Sequence, residues 1–464
     1  MAPQPPDRPF DPLVPTDDEP WDRPRIHHLL RRAAIGPTPE QFAALSNLSP
    51  RQAVDSLLDY DVAQDPFNDL LTRMEGFFNF NRIEDVQGWF FFRMLGSPRR
   101  AQERMALFWH NHFATSASKV DRPKLMHNQI ELFRQKGLGS FRDLLLAVAR
   151  DPAMLVWLDG QASKKGHANE NFSRESMELF TLGIGNYTEQ DVQELARAFT
   201  GWQLQGDQAV FNPKLWDDGE KTIFNTPGKY DSQSAVDLML AQPAAPKHLA
   251  EKLLKEFVHP EPTQDHIDYV AGQLVANNWQ IKPVMKQIFT SRLFYSEWAY
   301  RSRIKSPVEL VVGAIIGLGG KANTDFITQT TTRMGQKILF PPNVKGWDGG
   351  EAWINANTVL VRFNFGLVLA TQQQNIYAER PDVEAMLHSQ GATTAPQVVD
   401  FFDAMLLDGR LPDDENAKFV QFLENSTTTS AQTRPAFVLN HGTYYKSVRD
   451  VMQLMMATPE YQLA

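Results

Sequence analysis

Helix-start chemistry recurs along this chain and restricts what it can fold into more than any other feature. In TPEQFAAL (38–45) and SPRQAVDSLLD (49–59) a hydroxyl residue stands before a proline, with Glu or Gln close behind. The hydroxyl accepts an amide that the first helical turn leaves without a partner, and proline loses nothing where its N–H would be unused. In RAQERMALFWHNHF, Met105, Phe108, Trp109 and His112 recur at i, i+3, i+4 and i+7, forming one helical stripe. YTEQDVQELARAFTGW (187–202) pairs a Thr188 cap with Val192, Leu195, Ala196 and Phe199 facing inward. The same periodicity predicts helices near 246–257, 263–277, 281–290, 306–317, 355–373, 395–406, 412–424 and 446–457. Strand-like alternation is scarce, so the fold expected is mainly α, a single large multi-helical domain.

A Pro- and Asp-rich stretch over 1–22 reads as an extended N-terminal arm, leaving 23–464 as the helical domain; a division into two helical lobes would fall near 206–233. Two segments interrupt the helical rhythm, 206–233 and 335–357, both dense in Gly and Asn and both carrying Trp beside Asp. They are expected to form long irregular loops or small hairpins, the places where function gathers on a helical scaffold.

Composition removes several function classes. Lys and Arg total 46 against 55 acids, with no long basic run, so no nucleic acid partner is expected. The apolar stretch VELVVGAIIGLGG from 308 is too short and glycine-rich for a membrane span. The amino terminus lacks the apolar core of a secretory signal, which taken alone points to the cytoplasm. With no cysteine, thiolate ligands and a cysteine nucleophile are excluded, and any metal rests on His, Asp and Glu. No nucleophile elbow, phosphate-binding glycine loop or dinucleotide fingerprint is present.

The stretch HANENFSRESMELFTLG (167–183) carries the main candidates. At 3.6 residues per turn Asn171, Arg174, Glu175 and Glu178 share one helical side with Glu170 at its edge, opposite Phe172, Met177, Leu179 and Phe180. One reading is a solvated face in which Arg174 pairs with Glu170 and Glu178. The other is a pocket lining, since the face has no Lys and includes Asn, a poor helix former that gains from specific hydrogen bonds. FWHNHF adds His110 and His112, which diverge by about 200° on a helix. Each is either a buried neutral imidazole or a proton shuttle or ligand. Trp216, Asp217, Trp347 and Asp348, with Asp218 and Trp353, are candidates to line a cleft for a sugar-like ligand, or else plug the edge of the core.

RMALFWHNHFATS, DPAMLVWLDGQ, NENFSRESMELFTLGIGNYTEQDVQELARAFTGW, KSPVELVV and PPNVKGWDGGEAW, in that order, resemble the bacterial proteins grouped as domain of unknown function 1800. The resemblance runs from HHLLRRAAIG (27–36) to the closing ATPEYQLA. It implies an α-helical protein, a periplasmic or extracellular location, a sulfatase-like protein as partner, and functional weight on His110, His112, Asn169, Glu170, Asn171, Arg174, Glu175 and Glu178. It also implies a His where this chain has Trp216, before Asp217.

Three functions are expected on these grounds. The first is an acid/base enzyme, a hydrolase or lyase on a saccharide-like polymer, with Glu170, Arg174, Glu175, Glu178, His110 and His112 catalytic. Asn169, Asn171, Asp159, Trp216, Asp217, Trp347 and Asp348 would bind substrate. The second is a metal-dependent enzyme with a divalent ion held by His110, His112, Glu175 and Glu178. The third is a non-catalytic scaffold or maturation partner of an exported assembly, with the polar helix as a specificity network.

Overall fold

The computed structural model describes residues 3–73, 76–370, 377–379, 382–426 and 445–464. Helices dominate it, and the caps that the sequence offers are used. Thr38 and Ser49 accept the amides of Gln41 and Gln52 and open the helices Pro39–Ser46 and Pro50–Leu58. Thr188 with Asp191, and Ser306 with Glu309, close reciprocal capping boxes on Glu189–Ala198 and Pro307–Gly317. Helices occupy Ala244–Phe257, Gln264–Ala276, Ile281–Thr290, Asp413–Asn425 and Tyr445–Met456, close to the ranges that periodicity predicts. Of the helix expected over 355–373, Ala356–Ala370 is observed, and 371–373 lie outside the described residues. The helix expected over 395–406 is α-helical only to Phe402 and finishes as a π turn, Asp403–Leu407.

Both irregular segments are ordered, in different ways. The first folds into two hairpins. Trp202–Gln205 pairs with Gln208–Phe211, and Lys221–Ile223 with Thr226–Gly228. Phe224 and Asn225 turn the second hairpin with positive φ at both positions, the geometry that matches right-handed strand twist. The second segment is a loop ending in one 3-10 turn, Gly350–Trp353. Residues 3–22 have no helix, yet this arm is docked. Leu13 is buried and donates its amide to Thr290 O at 2.7 Å, and Phe10 stacks on Tyr269 with centroids 3.9 Å apart.

One apolar cluster runs through the described residues from Leu13 to Tyr461. Three of its buried carboxylates, Glu103, Glu309 and Asp408, are ringed by cations. Glu103 takes the Nε–H groups of Arg93 and Arg134. Glu309 takes Arg104 at 3.1 Å and also Arg303. Asp408 receives Arg31, Arg301, His27 Nδ1 and the Tyr300 hydroxyl, joining the first helix, Arg23–Ala34, to a position 381 residues later. Such charges survive burial only because each is paired and hydrogen-bonded. No helix among the described residues is long and apolar enough to cross a membrane.

Candidate functional site

The helix carrying FWHNHF, Arg100–His112, ends at its second histidine, and both imidazoles are buried. His110 Nε2 accepts the Leu339 amide at 3.2 Å, which leaves its proton on Nδ1, a buried atom with no hydrogen-bond partner among the described residues. Burial pushes the His110 imidazole down to about 3, so it is neutral. Leu339 has φ of +67°, an unfavourable region for a residue with a Cβ, and its carbonyl accepts the Ala117 amide at 2.8 Å. His110 and the chain after His112 thus pin the start of the 335–357 loop. His112 donates Nε2–H to Phe180 O at 3.1 Å, and burial holds it neutral, with Lys252 and His248 also opposing a charge.

The polar stretch is α-helical only over Glu170–Glu175 and continues as a π turn, Ser176–Thr181, in which Leu182 N reaches back to Met177 O at 2.8 Å. The Thr181 hydroxyl closes on Ser176 O at 2.5 Å. Wider turns of this kind are frequent at functional sites. Histidines satisfy the carbonyls at the end of the turn: His248 donates to Leu179 O at 2.9 Å and His112 to Phe180 O.

The asparagines act locally. Asn169 caps the helix by accepting the Asn171 amide at 2.8 Å, and its Nδ2 donates to Asp159 O at 3.2 Å. Asn171 is exposed, with Nδ2 reaching Leu158 O at 3.4 Å. The Asp159 carboxylate pairs with Lys119. Arg174 makes two bonds of 2.7 Å to Glu189, whose side chain is 70% exposed, and a longer contact to Glu170. That flank of the helix is therefore a solvated ion-pair cluster. Further round the helix, Glu175 and Glu178 are partly buried, and neither lines a described cavity. Glu178 accepts the Tyr187 hydroxyl at 2.6 Å. Glu175 is half-buried, with no hydrogen bond or ion pair to its carboxyl among the described residues; burial and then Glu178 raise its pKa, and Arg174 lowers it.

Leu179, one turn beyond Glu175, lies on the wall of a cavity of about 400 Å³. His112, Asn111, Trp347, Asp348, Trp353 and Lys252 share that wall. Asn111 fixes the tryptophan loop: Oδ1 accepts the Trp347 amide at 2.8 Å and Nδ2 approaches its carbonyl at 3.5 Å. Gly346, with φ of +88°, lies so close that a Cβ there would collide with the Asn111 carboxamide. Trp216 and Asp217 are not part of this wall. Asp217 is gripped by Arg197 at 2.9 and 3.1 Å and receives the Gly219 amide, which, with Arg197 leading, lowers its pKa. The Trp216 ring lies under Lys221 Nζ at 5.4 Å, inside its own hairpin region. The two tryptophan loops therefore do not share the cavity: Trp347 borders it, and Trp216 is used in packing.

His110, His112, Glu175 and Glu178 are not assembled as a ligand set. Both imidazoles are committed to main-chain groups, and among the described residues no three His, Asp or Glu side chains gather as a metal site would require. Sequence reasoning missed Asn111, Lys252, Lys255, Glu256 and Arg303. The run EKLLKEF has the look of an ordinary charged helix face, and only the fold brings it to the same cavity wall as the tryptophan loop.

The chain belongs to the family described as "Protein of unknown function (DUF1800)", whose match covers residues 28–463. Neither a curated protein nor a solved structure matches it.

Proposed function

We propose that the protein is an acid/base enzyme of hydrolase or lyase type on a saccharide-like polymer, with Glu175 as the proton-transferring carboxyl and the Trp347–Trp353 cavity as a substrate subsite. The observation that carries this is Glu175 itself: half-buried, raised in pKa and without a hydrogen-bond or ion-pair partner among the described residues, four positions before Leu179 of the cavity wall, which Glu175 itself does not line. Every other carboxylate of the stretch is occupied, Glu170 by Arg174 and Glu178 by Tyr187. Two neighbouring carboxyls in unlike surroundings are suited to divided roles. Glu175 would deliver a proton to the oxygen leaving the sugar. Glu178, positioned by a Tyr187 hydroxyl that burial keeps protonated to about 12, would take one from water or from the sugar ring.

A scaffold role draws on different observations, the Asn169 cap and the Arg174–Glu189 pair, which are structural contacts. Glu175→Gln separates the two readings. On a panel of neutral and acidic polysaccharides the parent should release reducing ends or unsaturated products, and the variant should fold normally and lose roughly a hundredfold or more in rate. An inactive parent on every polymer, or a variant as active as the parent, overturns the enzymatic reading.

A further inference from the structure

We infer that the cavity is an anion site, anchored by Lys252, and that its saccharide ligand carries a carboxylate or sulfate group; this rests on the cavity being the substrate subsite. The cavity wall brings in the cations Lys252, Lys255, Lys345 and Arg303 against two carboxylates, Glu256 and Asp348. Most of these charges are already matched. Lys255 pairs with Glu251 at 2.6 Å and Lys345 with Asp348 at 2.6 Å; Arg303 is held by Glu309, and Glu256 by Arg104 at 2.5 Å.

Lys252 is the exception, with no hydrogen bond and no ion pair among the described residues. It is only partly exposed, and burial, Lys255 and Lys345 all press against its charge, with Glu251 alone opposing them. A desolvated ammonium among other cations is an unfavourable arrangement for the free protein, and an arriving anion relieves it. Trp347 and Trp353, both largely buried, add apolar edges to the same cavity, against which the non-polar side of a sugar can pack. Cation and indole together match an acidic sugar better than a neutral one or a bare inorganic ion.

The inference is tested by calorimetric titration of the Glu175→Gln protein, so that turnover does not intervene. Short oligogalacturonates, short sulfated galactans and a neutral galactan of matched length are the probes. Lys252→Met should weaken the binding of an acidic probe by at least about tenfold and leave the neutral one unchanged, while Lys252→Arg retains most of the affinity. Carboxylate and sulfate probes tell the two sources of charge apart. Affinity for the acidic probe should also fall with added salt in the Glu175→Gln protein itself, a readout that needs no change at Lys252. Removing an unmatched charge should leave the melting temperature unchanged or raise it. Equal weakening of acidic and neutral probes, no weakening, or no binding of any acidic probe overturns the anion site. Tight acidic binding with no turnover by the parent would remove the enzymatic reading alone; turnover of a neutral polymer that ignores Lys252→Met would remove the anion site alone.

Discussion

Asp408→Asn is expected to destabilise the fold far more than any change to a surface ion pair. The Asp408 side chain is completely buried, accepts hydrogen bonds from Arg31 Nη1 at 2.9 Å, Arg301 at 3.0 Å, His27 at 2.8 Å and the Tyr300 hydroxyl, and has Arg31 Nη2 2.7 Å away as an ion pair. Burial works against its charge, but Arg31, His27 and Arg301 outweigh it and hold the carboxyl well below its ordinary range. A depressed carboxyl contributes stability that is present above the unfolded value, about 3.9, and is lost only as pH falls through the folded one, so the full effect operates at neutral pH. Asn tolerates the left-handed backbone that Asp408 adopts, φ +66°, so the substitution tests charge and not strain. Arg301 would keep the Leu406 and Glu460 carbonyls, but Arg31 would be left buried with a neutral Asn oxygen and Tyr300 in place of a counter-charge. An uncompensated buried charge costs about 3–5 kcal/mol. Glu297→Gln breaks the exposed Arg410 pair as a control and should cost less than about 1 kcal/mol. Urea unfolding followed by far-ultraviolet dichroism measures both, and a single transition is expected because the cluster ties the first helix to residue 408. An Asp408→Asn loss no larger than that of the control would refute the argument.

Two further expectations concern the site's frame. His110 and His112 should stay neutral through mildly acidic pH in the folded protein, while unfolded histidines take up protons near pH ~6.5, so stability should fall as pH drops below that value. Histidine-labelled NMR checks this, and an ordinary titration at either ring would contradict the assignment. Gly346→Ala should displace the tryptophan loop, since its Cβ would lie 2.5 Å from Asn111 O and the backbone sits at φ +88°. A cost above about 1 kcal/mol with altered tryptophan fluorescence is expected, and an unchanged spectrum and melting curve would count against the tight approach.

The helices were legible because their signals are local. A cap, a proline and an apolar period all lie within a few residues, so Thr188 and Val192 could be assigned from the sequence and are found in those roles. The site was less so. Asn169 and Asn171 suggest recognition when read alone, yet one caps the helix and the other bonds a carbonyl 13 residues back. The histidines drew attention as reactive groups, and each serves a main-chain group that another segment brings, Leu339 or Phe180. Lys252 is invisible in EKLLKEF, since its lack of a partner depends on Lys345 and on the ion pairs of its neighbours. Long-range pairing of this kind has no period and no fixed spacing to detect.

The π turn at Ser176–Thr181 acts as a phase shifter in the helix. By lodging one extra residue in the winding, it rotates the residues downstream of it by about 100° relative to an uninterrupted α-helix. Met177 and Phe180 can therefore settle into the core on their own terms, while the orientation of Glu175 is set by the turns before the widening. Deleting a single residue there would restore ordinary winding and force the chain to choose between seating Phe180 and aiming Glu175. The anchor and the working face are geared separately, so the direction of the carboxyl can be altered through the turns ahead of the bulge without unpacking the core behind it.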